Sequence, residues 1–267
     1  MTSASNDAQS DTFDLKGFRG KLPQPPVFPT KLEERDYLKF RLAQAFRIFG
    51  SVAGHTAALQ FGIEHPFWVN PFGLHFKLIQ PFDLLLVDHK GEIQDESGQK
   101  NGPFRILNTA AFMIHAAIHA ARPDGKAFSA LGRTLDPISQ DACAFYNDHV
   151  LYQQYNGIVL DDVEGSCIAA ALGTKKAAIL QNHGLLVATS SIEATVHFYI
   201  ALERACQVQL LADTAAAAHG GKTVHINPTQ AAVTGRGIGS RGAGWFTGNT
   251  EFMVLEREEG VMFKSSA

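Results

Sequence analysis

Cysteine is scarce in this chain. There are three among 267 residues, Cys143, Cys167 and Cys206, an odd number with no motif spacing. Such a set builds no disulfide framework and reads as reduced core thiols of a reducing compartment. Charge of one sign is equally sparse: the net charge of −3 makes no electrostatic case for a nucleic-acid or anionic-membrane partner. No apolar run approaches the roughly 20 residues of a membrane span. The opening MTSASNDAQSD lacks the basic and apolar regions of a signal peptide, so a cytoplasmic location is expected. Internal repeats are absent too. What is present, 45% hydrophobic and 18% charged residues, describes an ordinary globular protein with a substantial core.

Residues 1–30 are polar and then proline-rich (LPQPPVFP), which suggests a flexible arm ahead of one α/β domain over 31–267. From Leu32 the register becomes helical. Leu38, Leu42, Ala45, Phe46 and Phe49 share a face, and Gly50 is expected to stop the helix. Phe67–Val69 reads as a short strand ending in the turn Asn70–Gly73, and Leu84–Val87 as a buried strand turned back by Asp88–Gly91 toward Glu92-Ile93. Asn108 is placed to cap a helix to Ala121, with an apolar stripe through Met113, Ile114, Ala117 and Ile118. Glu164–Leu172 reads as a short third helix. Ser190–Glu193 matches a capping box that opens a long helix reaching past Leu211. The glycine-rich tail is expected to be loop, closing in a last strand over Glu251–Leu255.

The chemistry centres on Lys175–Thr189, KKAAILQNHGLLVAT. Two apolar runs, Ala177–Leu180 and Leu185–Ala188, flank the polar knot Gln181-Asn182-His183-Gly184. Runs this short suit buried strands rather than helices. His183 is thus held where a buried strand pair breaks, beside a glycine able to adopt angles that other residues resist. An imidazole there is either a metal ligand or a core histidine with satisfied nitrogens. His115 and His119, four apart on one helix face, can chelate a metal and with His183 would make a three-histidine site. His149 and Tyr152, in YNDHVLY, are pocket candidates or the polar edge of a strand. Gly237-x-Gly239-x-x-Gly242 matches the dinucleotide fingerprint in letters only, without the preceding strand or following helix. Ser129 and Ser166 lack the elbow context of a hydrolase nucleophile, and Arg122 and Asp124 suit a pairing or capping role at a helix end.

IHAAIHAARPD (Ile114–Asp124), ILQNHGLLV (Ile179–Val187), the segment from Phe67 to Ile93, and LERACQVQL on the long helix together resemble the class II aldolase/adducin family over roughly Leu38–Leu211. The resemblance implies an α/β fold: three α/β/α layers around a mainly antiparallel central sheet, in a homo-oligomer that is usually a tetramer. It further implies a divalent metal, zinc first with iron or manganese as alternatives, held by three histidines that polarise a carbonyl while a glutamate moves the proton. His183 is the family's NHG histidine. The other two ligands come from a His-x-His strand after the RPD signature, and small hydroxyls and backbone amides cradle a phosphate.

Several positions depart from that plan. After Asp124 the chain runs directly into Gly125-Lys126-Ala127-Phe128, without the His-x-His strand. The vacancy should leave a void or be filled by Lys126–Leu131 as a short edge strand. Ala111 stands at the glutamate position, leaving His55, Tyr152 or water as proton carrier. His55 also stands in the asparagine position of the family's Gly-Asn loop. Of the substrate-binding positions, Thr109 keeps its hydroxyl beside Ala110, and Gly73 ends a turn in which Phe72 replaces a hydroxyl. Two functions from different classes follow. One is a metal-dependent lyase-type enzyme on a small carbonyl compound other than a sugar phosphate, in a specialised biosynthetic pathway, with His115 and His119 replacing the lost ligands. The other is a non-catalytic, metal-free assembly or binding module comparable to the adducin head.

Overall fold

The structure, a computed structural model, describes residues 23–52, 67–88, 90–94, 97–100, 102–107, 123–155 and 162–260. The segments carrying His55, Thr109, Ala111, His115 and His119 lie outside the described residues, as does the expected helix Asn108–Ala121.

Helix α1 spans Lys31–Val52, and Leu42, Ala45, Phe46 and Phe49 on its inner face are fully buried. It runs through Gly50 rather than stopping there. A side chain at Gly50 would meet the backbone nitrogen of Lys77 at 2.8 Å, so the glycine serves close packing. Strands β1 (Phe67–Val69) and β2 (Leu85–Val87) pair antiparallel in a small sheet. As read from the sequence, the chain turns back after β2, with Ile93 bridging to Val87.

The expected edge strand over Lys126–Leu131 does not form. Helix α2 (Pro123–Ser129) occupies that stretch and fills the space with fully buried Phe128. Strand β3 (His149–Tyr152), helix α3 (Asp162–Leu172), strand β4 (Ala177–Leu180) and strand β5 (Gly184–Val187) follow. They make a sheet in the order β3-β4-β5, with β4 parallel to β3 and antiparallel to β5. Side chains alternate between the two faces of a strand. Ala177, Ile179, Leu185 and Val187 enter the main core with α1 and α2, whereas Ala178, Leu180 and Leu186 pack with Ile168 of α3 on the opposite face. This alternation makes the layered α/β/α arrangement.

Three helices complete the fold: α4 (Ile192–Ala218), α5 (Pro228–Ile238) and α6 (Arg241–Glu259). The capping box fails at the start of α4. The cap is Ser191, whose Oγ accepts from the Ala194 amide, and Glu193 is drawn instead into the core. There Glu193 accepts from Tyr37 Oη at 3.1 Å and pairs with Arg41 at 3.2 Å. Arg41 also donates to Glu256 and Asn249 of α6, so one guanidinium ties three helices together.

The tail is likewise helical, neither loop nor strand. Gly239 caps α5, and Gly242 and Glu251–Leu255 lie in α6. At Gly244 and Gly248 a side chain would strike the Phe198 ring and the Glu193 carbonyl, so these glycines let α6 lie directly on α4. Cys143 and Cys206 are buried, but Cys167 is exposed on α3 and is no core thiol. Among the described residues no helix is long and apolar enough to cross a membrane.

Candidate functional site

The turn between β4 and β5 is tight and tethered on both flanks. The His183 amide donates to Leu180 O at 3.0 Å, Gln181 N donates to Tyr152 O at 2.9 Å, and Asn182 N donates to Ser129 O at 3.4 Å. Gly184 has φ +147°, the backbone freedom expected of it. Asn182 also turns left-handed, at φ +59°, a conformation its short polar side chain tolerates. The turn therefore holds the half-buried His183 between the end of β3 and helix α2.

Three side chains on neighbouring elements give this turn its character. Tyr152 ends β3 opposite Leu180, and its hydroxyl lies 3.1 Å from Glu164 Oε1 and 3.3 Å from Gln154 Oε1. Burial, reinforced by the Glu164 carboxylate, pushes the phenol up to about 12. Tyr152 thus stays protonated through the physiological range and serves as a donor. Lys126 rises from α2, its Cγ 4.0 Å from where a Gly184 side chain would begin. Burial lowers the His183 pKa, the Lys126 charge lowers it further, and Glu164 on α3 opposes both. The result is a neutral imidazole, a protonated phenol, a carboxylate and an ammonium around one turn.

Helix α2 is pinned from behind. The Gly125 amide donates to Glu203 Oε1 of α4 at 3.0 Å, and Glu203 is buried. A side chain at Gly125 would collide with that carboxylate and with Leu185. Lys126, Glu164 and Glu203 were not singled out from sequence. The signals to hand were the glutamate that opens the short third helix and the LERACQVQL segment that carries Glu203.

The remaining predicted residues fall elsewhere. His149 is structural: Nε2 accepts from the Leu135 amide at 2.9 Å, and Nδ1 faces Phe145 O at 2.6 Å. With both nitrogens engaged, its strand-edge reading holds. Gly73, at φ +89°, packs on Phe104 after β1, on the small sheet rather than on β3-β4-β5.

The model of the "Class II Aldolase and Adducin N-terminal domain" matches residues 39–210, a span that includes the β4–β5 turn and most of α4. The chain belongs to the class II aldolase and adducin family. It is 40% identical over 240 residues to a protein named decarboxylase NovR from Streptomyces niveus, covering 83% of this chain and 85% of that one. It is also 40% identical over 239 residues to 4-hydroxy-3-prenylphenylpyruvate oxygenase/4-hydroxy-3-prenylbenzoate synthase from Streptomyces roseochromogenus subsp. oscitans, covering 83% and 82%. Among solved structures, an L-fuculose 1-phosphate aldolase from Glaciozyma antarctica PI12 superposes with a TM-score of 0.76 at 41% identity, over 91% of this chain and 97% of that one.

The divalent cation typical of class II aldolases does not fit the ligands on view. Among the described residues no three His, Cys, Asp or Glu side chains are grouped to hold a metal ion, and three protein ligands are the usual minimum. Where this class II aldolase-like chain would place its paired histidines, after Asp124, it has α2 and Lys126. Among the described residues, His183 therefore lacks the two further ligands that a catalytic cation needs.

Proposed function

We propose that this class II aldolase-fold protein is a lyase-type enzyme acting on a small carbonyl compound in a specialised biosynthetic pathway, with the His183 turn as its active site. The observation that carries the proposal is that the turn bearing His183 is hydrogen-bonded through the Gln181 amide to the Tyr152 carbonyl, which brings an imidazole of lowered pKa and a phenol pushed up to about 12 to the same end of the sheet. A lyase reaction needs a group that accepts a proton and another that donates one. His183 takes the proton from a substrate hydroxyl as the carbon–carbon bond breaks. The electron pair moves onto the adjacent carbonyl, and the Tyr152 hydroxyl, which donates to Glu164 in the structure, turns its single proton to the resulting enolate oxygen. The two Streptomyces relatives, named for decarboxylation and for oxygenation to a benzoate, support chemistry beside a carbonyl.

The test is turnover by the purified chain of a panel of hydroxy ketones, 3-oxo acids and aryl 2-oxo acids, with His183→Ala as the control. Turnover abolished by the substitution supports the reading. A stable, folded protein inert to the whole panel overturns it and favours an adducin-like binding module.

A further inference from the structure

Resting on that active-site reading, we propose that the Lys126 ammonium supplies the positive charge of this site. Its ligand is the carboxylate of a small oxo acid. Helix α2 stands in the stretch where the family plan carries two metal ligands, and the Glu203 carboxylate fixes its first turn through the Gly125 amide. Because Gly184 lacks a side chain, the Lys126 stem lies against the turn, its Cγ 4.0 Å from the missing Cβ position. A cation next to His183 is thus provided covalently by the chain.

The charge is also available. Lys126 is exposed, and among the described residues no carboxylate pairs with it. Three other cations are by contrast engaged. Arg133 pairs with Asp136 and Asp213, Lys175 donates to Asn147 O, and Lys176 is bound to Asp148. Across the turn stand the Tyr152 hydroxyl and the Glu164 carboxylate. The fitting ligand therefore has one anionic end for Lys126 and a neutral polar end for Tyr152 and His183, which an oxo acid combines. A phosphate dianion suits the site less, because it draws on several charged donors and this turn offers one.

Isothermal titration of the full chain with phenylpyruvate, and with phenylacetone as its neutral counterpart, tests the inference. Lys126→Met should weaken phenylpyruvate binding by about fivefold, the upper range for losing one exposed charge pair. Lys126→Arg should hold it within about threefold, and phenylacetone should bind all three proteins equally. Because Lys126 is exposed, an unchanged thermal midpoint in Lys126→Met shows that folding is intact. Equal phenylpyruvate affinity in wild type and Lys126→Met overturns the inference. So does tighter binding of inorganic phosphate, or no phenylpyruvate binding by wild type at millimolar concentration. Charge-dependent binding without turnover leaves this inference standing and removes the catalytic reading. Turnover indifferent to Lys126→Met does the reverse.

Discussion

The two ends of the β3–β4 pair are built from similar residues and do opposite things. At the entry end, Asp148, His149 and Lys176 are closed in on themselves. Lys176 Nζ lies 2.6 Å from Asp148 Oδ2 and 2.7 Å from Gly239 O, and both imidazole nitrogens of His149 face backbone partners. At the exit end, three residues further on, Tyr152, Glu164, His183 and Lys126 surround a turn with mixed charge and partial exposure. At about 3.3 Å per residue the ends are on the order of 10 Å apart. Buried polar groups closed on one another become structure, whereas partly exposed groups beside a turn can meet a ligand.

The contrast breaks most visibly at Asp148. Asp148→Ala strands the Lys176 ammonium, which burial already pushes below its usual range, in a site where both side chains are 7% exposed. A loss of about 3–5 kcal/mol in denaturant unfolding is expected, because one partner of a buried pair is removed. A loss below about 1 kcal/mol would mean that the entry end is not a structural clamp.

His183→Ala should do the opposite. Turnover on the active panel should fall about 100-fold or more, whereas stability should shift by less than about 1 kcal/mol. His149→Ala, in the same assay, should lose stability of about 1–3 kcal/mol through the orphaned Leu135 amide. If the two histidine variants behave alike, the division between the ends is wrong.

Acid should be felt first in the scaffold. His197 on α4 is lowered to about 4, chiefly by burial and then by Arg204, with Lys176 also lowering it and Asp141 opposing. Its unfolded counterpart titrates near 6.5, so the unfolded chain takes up the proton first as pH falls. Stability is complete above about 6.5 and declines toward pH 4, by roughly 3 kcal/mol for this residue. Thermal midpoints from pH 7 to 4 measure it, and His197→Gln should flatten that limb. An unchanged slope removes His197 as the source.

The smallest change sharpens the exit end. Tyr152→Phe should reduce turnover about tenfold while leaving the midpoint within a few degrees. In wild type, ultraviolet titration should show one phenol ionising near pH 12 that is missing from the variant. Sequencing the transcript across the codons for Asp124–Lys126 should return the uninterrupted text. An added stretch with His-x-His would restore a metal site and displace Lys126 from its role.

Much of this was legible before any coordinates. The inner face of α1 has a helical period, the paired runs around NHG are too short for helices, and the serines at its start announced the long α4. The NHG and RPD signatures carried the family. Less legible was α6. Its glycines weaken helical propensity, and only the Phe198 ring and the Glu193 carbonyl of α4 explain them. Glu193 itself looked like a local cap, yet a distant Arg41 and Tyr37 outbid the helix terminus. Lys126 was invisible as a site residue because it lies 57 positions from His183 along the chain and meets it only through folding.

Local periodicity and turn chemistry, both properties of neighbouring residues, sufficed to determine the strand pair and the bent turn with its imidazole, and the resemblance of the surrounding motifs pointed to the family. Tertiary structure alone decided which charges close on each other and which stay open. That choice depends on elements distant in sequence, α2, α3 and α6, converging on the same sheet, and electrostatic partnership follows distance in space.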